Sequence, residues 1–211
     1  MTLSGVPLLP SDCAEHIMGM PASQRRWTTD EVRALMDETR PAPRYELIDG
    51  ELLVTPSPGS PHQAIVGVLY TIIRAYVDAH GLGRVFLSPA DLELRPGQIT
   101  QPDIFVVPPG VRPGPRWRGV RTLLLAVEVL SDGSRRHDRV TKRHHYQDVA
   151  VSEYWIVDID RGVVERWRPA DDRPEMCAGT LAWQPDARVP ALVIELARLW
   201  DEAAAMDDEV A

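Results

Sequence analysis

The 211-residue chain has only two cysteines, Cys13 and Cys177, far apart and without a partner motif. With no C-x-x-C and no zinc-ligand spacing, neither a disulfide framework nor a structural zinc is expected, and a reducing cytoplasm is the expected compartment. No Lys or Arg precedes Arg25, and Pro7 and Pro10 interrupt the first apolar patch, so an ordinary signal peptide is not expected. Long apolar runs are also missing. The longest, Leu123 to Val127, is far too short to span a bilayer. Basic excess is lacking too: the net charge is −8, which argues against indiscriminate nucleic-acid binding. Five of the acids lie in the last eleven residues, however, leaving −3 over residues 1–200.

What is present fits one sizeable core. Nineteen prolines predict many turns and short elements, and the six tryptophans a few well-anchored packing points. Residues 1–24 read as a loose N-terminal arm, 25–200 as the domain and 201–211 as an acidic tail. Thr28-x-x-Glu31 is a capping box that opens a first helix, which Arg40 and Pro41 end. Asp49-Gly50 between two apolar runs predicts a type I′ hairpin that sets Glu46 opposite Leu53. Ser60-Pro61-His62-Gln63 reads as a cap, a first-turn proline and a capping-box glutamine. They start a helix whose buried face is Val66, Leu69, Ile73, Tyr76 and Val77, and Gly81 stops it. Strands are expected at 84–87, 91–95, 103–107, 122–130, 153–159, 163–168 and near Leu181. A helix is expected over 138–149, and an amphipathic segment over 191–200 closes the chain. The order predicts an α/β fold with a mixed β-sheet flanked by helices and an added N-terminal hairpin.

Glu128 is the one charge in the run 122–130, which otherwise belongs to a strand buried on both faces. A carboxylate there is paired, protonated or bound to a cation, unless it simply reaches solvent at a strand end. If strands 103–107 and 122–130 are antiparallel neighbours, residues whose numbers sum to 231 face each other, and Asp103 stands beside Glu128. Two adjacent carboxylates suit a hard divalent cation, magnesium or manganese. Asp138, Lys142 and Tyr146 recur every four residues and share one helical stripe. That stripe is either an ordinary ion pair over a tyrosine or the partner of the acids. Arg136, Arg139 and Arg143 in the same segment, with Arg116 and Arg118 in the preceding loop, are candidate nucleic-acid contacts. A metal-binding acid pair with a lysine and a basic helix is what phosphodiester hydrolysis requires. His62 either approaches phosphate or serves the helix start. His144 and His145 read as solvated.

The runs Tyr45-Glu-Leu-Ile-Asp-Gly-Glu51, Gln101-Pro-Asp103, Val127-Glu-Val-Leu-Ser131, Lys142-x-x-x-Tyr146 and Glu153-Tyr-Trp-Ile-Val-Asp158 resemble the Uma-two family. These are restriction-endonuclease-like proteins of the PD-(D/E)XK nuclease superfamily. The resemblance covers roughly residues 28–200. It implies a restriction-endonuclease-like sheet, Asp103 and Glu128 as metal ligands, and the Val129 carbonyl as a third. It further implies that Glu46 completes the shell directly or through water, and that Lys142 supplies a lysine that has migrated to the helix. Gln101, Asp138, Tyr146 and His62 are then supporting residues. One departure is Asp132-Gly133-Ser134, where the family usually continues with Pro-Ser.

The expectation is a Mg²⁺- or Mn²⁺-dependent endonuclease that hydrolyses DNA, possible as a homodimer and not a membrane protein. The alternative is a catalytically degenerate nuclease-fold module with a nucleic-acid-binding or regulatory role. A hydrolase of some smaller phosphoester is a third reading.

Overall fold

The computed structural model describes residues 26–38, 44–131 and 133–208. The expected arm at 1–24, the helix stop at Arg40–Pro41 and Asp132 lie outside the described residues. Helix α1 is Thr29–Glu38, and the capping box closes as expected: the Thr28 amide donates to Glu31 Oε2 and the Glu31 amide to Thr28 Oγ1. Strands β1 (Arg44–Ile48) and β2 (Glu51–Thr55) form the hairpin. Glu46 faces Leu53, and positive φ at Asp49 and Gly50 makes the turn.

Helix α2 (Ser60–His80) carries the predicted buried face and ends at Gly81 in the left-handed region. At 21 residues it is longer than the proline content suggested, because Pro61 in its first turn is its only proline. Its cap is the backbone of Gly59, so Ser60 already belongs to the helix.

A six-stranded sheet follows, in the order β3-β4-β5-β6-β7-β8. Its members are β3 (Arg84–Leu87), β4 (Ile104–Val107), β5 (Leu125–Val129), β6 (Glu153–Asp158), β7 (Val163–Trp167) and β8 (Glu175–Cys177). Only β5 and β6 are parallel, and the chain between them makes the crossover such a pair needs. It is a π-helical turn, His137–Lys142, running into α3 (Arg143–Asp148). The antiparallel register of β4 and β5 pairs Ile104 with Val127 and Phe105 with Ala126, so facing numbers sum to 231 as expected.

The expected strand at 91–95 is reduced to one bridge, Leu92 with Thr100. Ile99 exchanges both of its backbone hydrogen bonds with Leu47 of β1 instead, so the ladder does not extend toward the Pro96-Gly97 turn. The closing segment splits into β10 (Leu192–Glu195), paired with β9 (Thr180–Trp183), and α4 (Leu196–Asp208). The boundary expected at residue 200 falls inside α4, and Ala203 is buried against the core shared with α2. Among the described residues no helix is long and apolar enough to cross a membrane.

Alternation along β5 sorts the core. Leu125, Val127 and Val129 point to the cluster under α2 and α4, while Ala126 and Leu130 point to the cluster that holds Tyr146 and Tyr154. Glu128 shares the parity of Ala126 and Leu130. It is thus directed by period two toward the crossover helix, where Lys142 is.

Candidate active site

Glu128 is 2% exposed, so the strand-end reading fails and its charge is answered inside the protein. The Lys142 ammonium lies 3.0 Å from Glu128 Oε1, 2.7 Å from Glu46 Oε2 and 3.1 Å from Asp138 Oδ1. Tyr146 donates its hydroxyl to Glu128 Oε1 at 3.3 Å. The four-residue stripe therefore delivers Lys142 and Tyr146 to the Glu128 carboxylate, with Asp138 pairing the same lysine. Glu46 comes from the hairpin, and its Oε1 accepts the Gln101 amide at 2.7 Å. Gln101 also donates from Nε2 to the Tyr45 carbonyl and to Asp91 Oδ1, which locks the hairpin to the chain entering β4.

Asp103 stands beside this group with partners of its own. Its Oδ1 accepts Arg44 NH1 at 2.8 Å. Its Oδ2 accepts the Val129 amide at 2.8 Å and lies 3.1 Å from His62 Nε2. His62 is buried from the first turn of α2, and its Nδ1 has no hydrogen-bond partner among the described residues. Arg44, which bonds Asp103 and lines the cleft, is a site residue that the sequence does not single out. Its signal was available: Arg44 and Glu46 are two apart on one strand, so whatever Glu46 faces, Arg44 faces too.

The electrostatics divide the two principal acids. Burial would push the Asp103 carboxyl up, but the His62 hydrogen bond, the Arg44 charge and the Val129 amide outweigh it and hold it well below the usual range. Glu128 moves the opposite way. Burial raises its carboxyl well above the ordinary value; Lys142 pulls it down, while Asp138, Asp103 and Glu46 add to the rise. Burial opposes the Lys142 charge, yet Asp138, Glu128 and Glu46 together keep it firmly protonated. Asp138 is raised as well, chiefly by burial. Counted as ionised, the four buried carboxylates (Glu46, Asp103, Glu128, Asp138) face two permanent cations (Arg44, Lys142), a formal excess of two negative charges that the raised Glu128 and Asp138 values relieve by proton uptake.

A narrow cleft of about 10 Å³, open on one side, reaches this cluster. Asp103, Glu128, Val129, Arg44, His62 and Lys142 line it; Glu46 and Asp138 lie behind them. Among the described residues no three His, Cys, Asp or Glu side chains stand close enough to hold an ion by themselves. The carboxylates that line the cleft are those of Asp103 and Glu128, with Val129, Ser131, Ser134 and Thr55 also in its wall.

Several predicted contacts sit elsewhere. Arg116 and Arg118 are exposed, but they occupy the loop that joins the far ends of β4 and β5. That places them a strand length, roughly 13 Å, from Asp103 and Glu128. Arg139 is committed to Asp158 and Glu165 at 2.6 Å each, and Arg135 pairs with Asp158 and Asp160. Arg143 lies over the Trp167 ring at 4.7 Å and donates to Gln147. The basic helix face is therefore largely spent on β6 and β7, whose acids are remote in sequence, and only Arg136 is exposed. His144 is exposed as expected, but His145 is buried, and burial lowers its pKa to about 4.

Among curated proteins none matches this chain. A solved structure described as "a putative nuclease belonging to DUF820 from Anabaena variabilis" has the same fold, with a TM-score of 0.61 and 25% identity over 84% of this chain and 99% of that one. A family model described as "Putative restriction endonuclease" matches residues 29–179, a span that contains Glu46, Asp103, Glu128 and Lys142, and the chain belongs to that family, Uma2.

Proposed function

We propose that this chain is a divalent-metal-dependent endonuclease that hydrolyses DNA phosphodiester bonds, with Asp103, Glu128 and Lys142 at its centre. The observation that carries the reading is a buried cluster of four carboxylates and two cations, a formal excess of two negative charges, with one open side. A buried excess of that size calls for a counter-charge, and one Mg²⁺ or Mn²⁺ supplies it. The donors fit such an ion: all are hard oxygens, and Glu128 Oε2 has no hydrogen-bond partner among the described residues. Asp103, Glu128 and the Val129 carbonyl would hold it. Glu46, with one oxygen on Gln101 and the other on Lys142, acts through the lysine.

A bound divalent cation supplies Lewis-acid polarisation of a phosphoryl oxygen and lowers the pKa of a coordinated water. The chain's own residues do the rest. Asp103 is kept ionised by Arg44, His62 and the Val129 amide, so it remains a ligand at any physiological pH. Lys142 carries a fixed positive charge beside Glu128, suited to a phosphoryl oxygen as negative charge develops there. Tyr146 and Asp138 fix Glu128 and Lys142 from behind. The substrate is DNA, and Arg136 is the basic side chain of the helix segment left exposed to meet its backbone.

One observation favours a second reading, a nuclease-fold module that binds or regulates without turnover. Lys142 has three carboxylates within 3.1 Å of its ammonium, a set of ion pairs that is self-sufficient. Nicking of supercoiled plasmid separates the two. The endonuclease nicks in Mg²⁺ or Mn²⁺ and not in EDTA, and Asp103→Asn, Glu128→Gln and Lys142→Ala each lower the rate about 10²-fold or more while remaining folded. A wild-type chain that binds DNA and never nicks it is the module.

A further inference from the structure

Two cations line the cleft, and they differ in what they have left to give. Lys142 is surrounded by three carboxylates. To donate to anything in the cleft it must give one of them up. Arg44 is in the opposite condition. A guanidinium has five N–H groups. One nitrogen, NH1, serves Asp103 Oδ1 at 2.8 Å and the Gln101 carbonyl at 3.3 Å. Nε and NH2 have no partner among the described residues, and the side chain is 20% exposed where it lines the cleft.

The free pair is significant. Nε and NH2 form the side-on edge of the guanidinium, two parallel N–H groups whose spacing matches two oxygens of one phosphate. The occupied edge fixes the orientation. Asp103 and the Gln101 carbonyl hold NH1 from the strand entry, so the guanidinium plane is set before any ligand arrives. Its position at the first residue of β1, two residues from Glu46, puts this edge beside the acids and not at the protein's periphery.

Resting on the endonuclease reading, the geometry points to Arg44 as the residue that binds the substrate phosphate at the cleft, through two hydrogen bonds from Nε and NH2, while Asp103 anchors its other edge. The ligand chemistry this selects is a phosphodiester with two free non-bridging oxygens. It carries no information about base sequence, since only the backbone is touched. Arg44 is then the link between substrate and metal site: the carboxylate it leans on is the one expected to hold the ion.

The test is binding of a fluorescein-labelled DNA duplex to the full chain over a series of salt concentrations, in EDTA and again with Ca²⁺, for wild type, Arg44→Gln and Arg44→Lys. Loss of one phosphate contact flattens the plot of log affinity against log salt by about 0.9. Arg44→Gln is expected to show that flattening with about a tenfold loss of affinity. Arg44→Lys is expected to keep the wild-type slope, because its charge remains, yet to bind several-fold more weakly because the two-pronged edge is gone. Thermal melts establish that each variant is folded; should Arg44→Gln fail to fold, Arg44→Lys decides. Wild-type affinity and slope in Arg44→Gln, or wild-type affinity in Arg44→Lys, would overturn the assignment while leaving the endonuclease reading intact. Failure of the wild-type chain both to bind and to nick DNA would overturn both.

Discussion

The Lys142 ammonium lies 2.7 Å from Glu46 Oε2, so the helix after β5 and the hairpin before α2 meet through one buried ion pair. Lys142 also pairs with Glu128 and Asp138, so one ammonium is shared by three acids. Burial is nearly complete for all four, and the balance among them governs how the domain responds to mutation, pH and metal.

Lys142→Met should be strongly destabilising without metal. It leaves three buried carboxylates without the ammonium they share, and breaking a buried pair of this kind costs about 3–5 kcal/mol. Chemical denaturation at neutral pH is expected to show a loss of that order. The deficit should shrink as pH falls and the acids take up protons. A loss under 1 kcal/mol at neutral pH would mean the cluster rearranges freely.

Glu128→Gln is expected to stabilise the metal-free chain. The folded-state pKa of Glu128 is raised above its ordinary 4.5, so its contribution to stability is full below that value and is lost as pH rises through the folded pKa. Removing the charge removes that loss. The melting temperature of Glu128→Gln should therefore exceed wild type at pH 7–8 and converge with it below roughly pH 4.5. A variant less stable than wild type at pH 8 would contradict the assignment of charge.

Asp103→Asn should behave with the opposite sign. The Asp103 pKa is depressed, so its contribution is present above the ordinary 3.8 and lost as pH falls through the folded pKa. The amide leaves Arg44 without its counter-ion. Destabilisation on the order of 3 kcal/mol is expected at neutral pH, fading in acid, as followed by melting curves.

Arg139→Ala separates anchoring from nucleic-acid contact. Its guanidinium answers Asp158 and Glu165, 0% and 5% exposed, so its loss should cost about 2–4 kcal/mol and loosen the helix that carries Lys142. Arg116→Ala and Arg118→Ala, on exposed sites, should stay within about 0.5 kcal/mol of wild type. Denaturation curves for the three variants decide it.

How far the sequence could lead depended on how local the cause was. Capping, the Asp49-Gly50 turn and the four-residue stripe through Asp138, Lys142 and Tyr146 are each set within a few residues, and each was legible. The pairing of β4 with β5 was legible too, because two apolar strands about one loop have few registers that bury both. Partners supplied from remote chain were not legible. Arg139 reads as a free base until β6 and β7 bring Asp158 and Glu165 to it, and His145 reads as solvated until the sheet covers it. The hairpin's contribution is half legible: the turn sets Glu46 opposite Leu53 and the family resemblance gives it a place in the site, while Arg44 is tied to it only by sharing that face of the strand. The split of residues 191–200 into β10 and α4 was hidden because a short amphipathic strand and the first turn of a helix share apolar spacing.

The central claim is that the acid excess around Lys142 and Asp103 is answered by a divalent cation, and calorimetric titration tests it most directly. Mn²⁺ titrated into the wild-type chain should bind at one site per molecule and raise the melting temperature, by a stabilisation of about 2.7 kcal/mol at a hundred times its Kd. Both effects should disappear in Asp103→Asn and in Glu128→Gln. Absence of any heat of binding in the wild type, with an unchanged melting temperature, would contradict the account and leave the cluster an internally balanced set of ion pairs.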